Sequence, residues 1–323
     1  STLFPYTPLF RSDFVNGFAD ANVSTQQFIS FLGAGAYDHY TPAAVDSIIR
    51  RGEFFTAYTP YQPEISQGTL QAIFEFQSLI CNLTGLDVSN ASHYDGATAA
   101  AEACITAYSH FRGKRQKIVL SGSMHPQYIQ VIRTYLSGMT DIEIQVANDI
   151  IGSSKDLETV DQLIDENTAL VMVQYPDFFG RIHDFSLMID TIHEQGALVC
   201  MVVNPIALGL LKTPAQMGAN IAVGEGQPLG LPLSYGGPYL GFLAAKKDLV
   251  RKLSGRLVGE TVDEHGKRGY VLTLTAREQH IRREKATSNI CSNQGLMALA
   301  ATVYMSLLGK SGMRQVSQLS YDY

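Results

Sequence analysis

The sequence has no concentrated positive charge. Its 24 lysines and arginines are outnumbered by 30 acids, for a net charge of −6, and the densest basic run, Arg282-Arg283-Glu284-Lys285, is short and interrupted by an acid. Nothing offers a sustained basic face to a phosphate backbone, so no nucleic-acid partner is expected. Cysteine is scarce: Cys81, Cys104, Cys200 and Cys291 lie far apart, without the close spacing of a zinc or redox motif. No metal is expected, and the four are read as reduced, packed thiols of a cytoplasmic protein. Long apolar runs are missing as well. The longest, from Ala197 to Leu211, is shorter than the ~20 residues of a spanning helix and is broken by Asn204-Pro205, so no membrane segment is expected. The opening residues, STLFPYTPLFRS, lack the basic start and apolar core of a signal peptide. Repeats, heptads and low-complexity tracts are absent too.

What is present is a core-forming composition, 46% hydrophobic and 17% charged over 323 residues, enough for one large core or two modest ones. Apolar strands alternate with amphipathic helices, the pattern of an α/β fold with a mainly parallel sheet covered on both faces. Strands are expected at Ile118–Ser121, Ile142–Val146, Ala169–Val173 and Leu198–Val203, with helices near Pro126–Leu136, Lys155–Asp165 and Leu187–Gln195. A helix over Leu70–Thr84 carries Leu70, Ile73, Phe74, Gln77, Ile80, Cys81 and Thr84 on one stripe, with Gly85 as its stop. Another runs from Thr98 to Phe111. Past Gly218 two short strands, Ala219–Val223 and Leu240–Ala245, flank a Gly/Pro-rich turn that cannot be helical and has the character of an active-site loop. Val258–Tyr270, with three glycines among charges, reads as a mobile loop. The expected division is an N-terminal segment 1–30 whose first dozen residues have no explanation, a large domain 31–255, and a remainder 256–323 of loop and helices that stops inside a helix.

Three features carry chemistry, each with two readings. Asp95-Gly96-Ala97-Thr98-Ala99 is a small-residue turn entering a helix, which presents backbone N–H groups to a phosphate or simply permits close packing. Tyr58 to Glu64 holds two tyrosines between prolines, a stiff amphipathic surface suited to an interface, or an intrachain turn leading into the helix from Thr69. Arg282, Arg283 and Lys285 either bind anionic groups or end a solvated helix.

Five separated motifs occur in a recognisable order: FLGAGAYDHYTPAAV at 31–45, FFTAYTPYQPEISQG at 54–68, YDGATAAAEA at 94–103, GEGQPLGLPLSYGGPYLGF at 224–242 and REKATSNICSNQ at 283–294. Together they resemble the glycine-cleavage P-protein family, pyridoxal phosphate (PLP) decarboxylases of fold type I, and within it the alpha subunits of the two-subunit form. The resemblance implies a fold-type-I large domain with the C-terminal small domain largely missing. It also implies an aspartate at the end of the Leu198–Val203 strand to keep the pyridine nitrogen protonated, and a lysine farther on to tether the cofactor. Here Asn204 and Gln227 stand near those positions, and no lysine lies between Lys212 and Lys246.

The chain is therefore expected to have no catalytic residue and no covalent PLP of its own, but a degenerate pocket of Gly96, Ala97, Thr98 and His125. In relatives an aromatic or histidine at the place of His125 covers the pyridine ring; the other reading is a polar residue starting a helix before Pro126. The implied partners are a PLP-carrying beta subunit, glycine as substrate and lipoylated H-protein as acceptor of the aminomethyl group, in an α2β2 glycine dehydrogenase. Tyr58, Thr59, Tyr61, Gln62, Glu64, Arg283 and Lys285 are the interface candidates. Two other readings are a self-sufficient PLP enzyme using an unexpected lysine and a non-catalytic regulatory or scaffold relative.

Overall fold

The computed structural model describes residues 8–23, 27–29, 33–37, 39–148 and 160–323. The chain divides into two units, Ser1–Ala36 and Tyr37–Tyr323. The first contains helix α1 (Pro8–Asp20), where Phe14 and Phe18, one turn apart, meet edge to face at 4.9 Å.

The second unit is built on a seven-stranded sheet in the order β1-β7-β6-β5-β4-β2-β3. Its body, β2 (Lys117–Leu120), β3 (Glu143–Val146), β4 (Thr168–Tyr175), β5 (Leu198–Val203) and β6 (Ile221–Glu225), is parallel. β7 (Gly241–Ala245) returns antiparallel to β6, and the short β1 (Val88–Ser89) is antiparallel to β7. This change of direction follows from the connections: parallel neighbours need a crossover, whereas the proline- and glycine-rich turn after β6 brings the chain straight back.

Period-two alternation divides the core between the two sheet faces. Ile118, Leu120, Leu170, Met172, Leu198 and Cys200 pack with α5 (Gly96–His110) and α6 (Pro126–Leu136). Val119, Val171, Val173, Val199 and Met201 face the opposite side, with Phe76 and Ile80 of α4 (Gln67–Thr84), Ile189 and Ile192 of α7 (Ser186–Glu194) and Tyr304 of the last helix. Both faces being covered explains why β4 and β5 are apolar almost throughout. α5 approaches the sheet closely because Ala99, Ala100, Ala101, Ala103 and Ala107 are fully buried and small. The short helices α2 (Ala43–Ile49) and α3 (Gly52–Phe55) precede α4, and α8 (Pro214–Met217) precedes β6.

Some expectations shift. On α4 the buried stripe runs through Leu70, Ile73, Phe76, Gln77, Ile80 and Thr84, so Phe76 replaces Phe74 and Cys81. Gly85 ends the helix at φ +75° as expected. The segment expected as a loop at Val258–Tyr270 is instead an antiparallel hairpin, β8 (Leu257–Val262) with β9 (Arg268–Thr273). Val258 and Tyr270 pack on Leu70 and Ile73, and Asp263 closes the turn by accepting from the N–H groups of His265 and Lys267. The glycines that suggested a loop include Gly266, at φ +77° in this turn, where a left-handed residue is needed. The helix expected at Lys155–Asp165 begins outside the described residues. Cys81, Cys104 and Cys200 pack inward, but Cys291 is exposed; all four are free.

After α9 (Gln279–Arg282), α10 (Gly295–Asp322) is kinked at Gly309. Among the described residues it is the one helix long and apolar enough to cross a membrane. Its Ala298, Ala300, Ala301, Tyr304, Met305 and Met313 belong to the core, which accounts for that composition without a bilayer.

Candidate functional site

The carboxyl ends of parallel strands, where open α/β sheets bind ligands, bring together the residues singled out in the sequence for a cofactor pocket. β6 ends in Glu225, β5 runs into Asn204, β2 leads to His125, and α5 starts beside them at Gly96.

The N-terminus of α5 is capped reciprocally. Asp95 Oδ1 accepts from the Thr98 N–H at 2.8 Å, while Thr98 Oγ1 accepts from the Asp95 N–H at 3.1 Å. The free N–H of Gly96 donates to Glu225 Oε2 at 2.9 Å. The other carboxylate oxygen, Oε1, accepts from the N–H groups of Gln227 and Leu240, each at 2.9 Å. Glu225 is 9% exposed, and its three donors are all backbone. Burial pushes its pKa up to about 7, outweighing the three N–H groups that favour the charged form. A Cβ on Gly96 would stand 2.2 Å from the Tyr128 hydroxyl and 2.7 Å from the Glu225 nitrogen, so only glycine fits. Ala97, half-buried, follows in the same first turn.

Asn204 and Gln227 are turned toward their own chain. Asn204 Oδ1 accepts from the N–H groups of Ile206 and Ala207 at 2.9 and 3.3 Å, fixing the turn after β5. Gln227, 1% exposed, donates through Nε2 to the carbonyls of Tyr37 and Leu231 at 2.9 and 2.8 Å. Its Oε1 has no hydrogen-bond partner among the described residues. Of the flanking lysines, Lys212 pairs with Asp184 at 3.2 Å and Lys246 donates to the Gly218 carbonyl at 2.9 Å.

His125 serves as a helix cap in the structure. Its Nδ1 accepts from the Gln127 N–H at 3.1 Å, and its ring stacks on Tyr128 and meets Phe178 edge to face. The Gln174 side chain holds its backbone N–H at 2.7 Å.

These residues do not fit PLP. The helix N-terminus that would receive its phosphate is filled by the Glu225 carboxylate, Asn204 is a neutral amide whose oxygen accepts from a turn and can form no ion pair with a pyridinium, and Gln227 offers no amine. Glu225 was not singled out by sequence reasoning. An acid ending a fully buried strand beside a turn rich in backbone N–H groups was the signal available for it.

The interface candidates lie elsewhere. Tyr58 is 83% exposed, Thr59 is half-buried, and Gln62, Glu64, Arg283 and Lys285 are exposed. Tyr61 is exposed too, yet its hydroxyl accepts from Arg256 Nη2 at 2.7 Å, and the Arg256 guanidinium lies over its ring at 5.1 Å. The loop also leads into α4, because Gln67 Nε2 donates to the carbonyls of Pro63 and Tyr270. The segment is thus exposed at Tyr58 and tied to α4 and β9 through Gln67.

The last motif is stitched to the entry of α5. Ser288 Oγ donates to Glu102 Oε1 at 2.8 Å, the Cys291 N–H to the Tyr94 hydroxyl at 3.2 Å, and the Gln294 N–H to Ser92 Oγ at 2.9 Å. Beside it Arg256, Arg277 and Glu278 line a small cavity that the sequence did not announce. Among the described residues no group of three His, Cys, Asp or Glu side chains is arranged to hold a metal ion.

The model of the glycine cleavage system P-protein family matches residues 8–323. The probable glycine dehydrogenase (decarboxylating) subunit 1 of Desulforamulus reducens is 59% identical over 94% of this chain and 68% of that relative. The protein of the same description from Thermomicrobium roseum is 58% identical over 93% of this chain and 66% of its own length. The crystal structure of a glycine decarboxylase (P-protein) of the glycine cleavage system, in inhibitor-bound form, superposes with a TM-score of 0.87 at 42% identity, covering 98% of this chain and 70% of that one. An alanine–glyoxylate aminotransferase from Nostoc sp. superposes at 0.58 with 14% identity, covering 94% of this chain and 77% of its own, a likeness of fold alone. The sheet and its covering helices have the fold of fold-type-I PLP enzymes, and the chain belongs to the glycine cleavage system P-protein family.

Proposed function

We propose that this chain is subunit 1 of a two-subunit glycine dehydrogenase (decarboxylating), and that it works with a second subunit that carries PLP. The pair decarboxylates glycine and passes the aminomethyl group to the lipoyl arm of H-protein. What carries the reading is a conjunction: 59% identity to a subunit 1 over nearly the whole chain, and a pocket at the strand ends occupied by the chain's own Glu225, Gln227 and Asn204.

In this assignment PLP supplies the electron sink at the second subunit's site, and no step runs through the pocket described above. This chain contributes a rigid wall. Asn204 and Gln227 lock their turns to backbone groups, and the Tyr58–Glu64 loop with Arg283 and Lys285 faces the partner. An α2β2 assembly in the cytoplasm accords with this reading. So does the large domain expected between residues 31 and 255.

The test is carbon dioxide release from glycine by the full-length chain co-expressed with its second subunit, H-protein being present. Turnover is expected only with both subunits. Equal turnover by the second subunit alone, or none from the mixture, defeats the proposal.

A further inference from the structure

We infer that the N-terminal cradle of α5 is an anion site closed from within: the Glu225 carboxylate takes the place of an external phosphate, and the chain thereby excludes phosphate-bearing ligands there. The inference deepens the proposed function, which uses the same filled strand ends, by naming the class of ligand that the carboxylate keeps out.

Three observations carry it. First, the donors converge. The N–H of Gly96 comes from the first turn of a 15-residue helix, and those of Gln227 and Leu240 come from the two ends of the turn that joins β6 to β7. Three backbone donors from separate segments around one anion form the kind of nest that otherwise holds phosphate or sulfate. Second, the anion is supplied by a nearly fully buried side chain whose two oxygens accept all three bonds, so none of these donors remains for a ligand. Third, the carboxylate is hemmed in. Tyr128 packs its hydroxyl where a Cβ on Gly96 would be, and Asp95, Tyr37, Tyr128 and Tyr239 are close enough to feel or exert charge at Glu225. A phosphate could therefore reach these donors only where the Glu225 carboxylate is gone.

The experiment compares wild type and Glu225→Ala, both full length, at about pH 8, above the value near 7 to which burial moves Glu225. The probe is inorganic phosphate against sodium chloride of equal ionic strength. Wild type is expected to show the same thermal midpoint in both salts. Glu225→Ala is expected to unfold earlier in chloride and to be restored saturably by phosphate, which fills the vacated cradle. A saturable phosphate shift in wild type, or a variant that responds no differently to phosphate and chloride, overturns the inference. Should the variant fail to fold, amide exchange in wild type decides. The Gly96 N–H is expected to be protected and indifferent to phosphate, and a freely exchanging or phosphate-sensitive Gly96 refutes internal closure. A failure of glycine decarboxylation in the two-subunit assay would leave these readouts untouched, so the two readings fall separately.

Discussion

The environments of Glu225 and Arg256 are both buried and both charged, and they are built on opposite principles. Around Glu225 an isolated carboxylate is held by backbone N–H groups, with all of its bonds made. Around Arg256, 3% exposed, charge meets charge at long range. Its Nε lies 3.9 Å from Glu278 Oε2, while Nε and Nη1, Arg277 Nε and Glu278 Oε1 have no hydrogen-bond partner among the described residues. The first is fixed by the fold, because its donors belong to the main chain; the second depends on side chains that can rearrange. Buried networks are stable only when their members are satisfied, so the two regions should answer mutation differently.

The largest effect is expected at Arg256. Replacing it by alanine removes the bond to Tyr61 and takes from the buried Glu278 one of two neighbouring guanidinium groups, the other being Arg277, which costs about 3–5 kcal/mol. Urea denaturation measures this, and the double variant with Glu278→Gln should recover part of the loss. Additive losses would show that the pair is not coupled. Next comes Gly96→Ala, whose Cβ has no room between Tyr128 and the backbone of Glu225. Overpacking at a main-chain contact costs about 3 kcal/mol, and a variant within 1 kcal/mol of wild type would show that the cradle is looser than its geometry.

A third effect separates the two regions by pH. Glu225 has a folded-state pKa of about 7, raised from 4.5. The folded chain therefore binds the proton more tightly than the unfolded one. The stabilisation is complete below about pH 4.5 and is lost as pH rises through about 7, amounting to about 3 kcal/mol. Glu225→Gln should flatten this slope in equilibrium unfolding between pH 5 and about pH 8, whereas substitution of Glu278 should leave it in place. A slope that survives Glu225→Gln belongs to another group.

The same contrast marks how far the sequence could be read. The alternation of strand and helix, the cap at Gly85 and the non-helical turn after β6 were legible because each is a local signal: period, a left-handed glycine, missing N–H donors. The placement of three residues was legible too, since Asn204 and Gln227 follow β5 and β6 and Gly96 opens α5. What could not be read is how their polar atoms are spent. Glu225 reaches Gly96 across 129 residues, and Gln227 finds the carbonyl of Tyr37 across 190; both bonds exist only after the sheet has formed. The hairpin β8–β9 was missed for a related reason. Its glycines look like loop residues until Val258 and Tyr270 find Leu70 and Ile73 on α4.

The smallest effect on stability, and the sharpest on assembly, belongs to the exposed loop. Tyr40, Phe55, Tyr58, Tyr61 and Ile65 are all exposed within 26 residues of sequence, more apolar surface than a free loop needs and the composition of an interface. Tyr58 is largely exposed, and among the described residues its ring contact is the tilted one with Tyr61 at 6.4 Å, so Tyr58→Ala should change unfolding free energy by less than about 0.5 kcal/mol. If the loop crosses to the second subunit, the same substitution should weaken association by about 2 kcal/mol, roughly thirtyfold in dissociation constant, as read by sedimentation or titration of the two full-length subunits. Tyr61 is the control that makes the distinction, because its hydroxyl is held by Arg256. Tyr61→Phe should cost stability without a matching change in association. If Tyr58→Ala alters neither quantity, the loop is an exposed turn into α4, and the contact with the second subunit must be sought elsewhere on the chain.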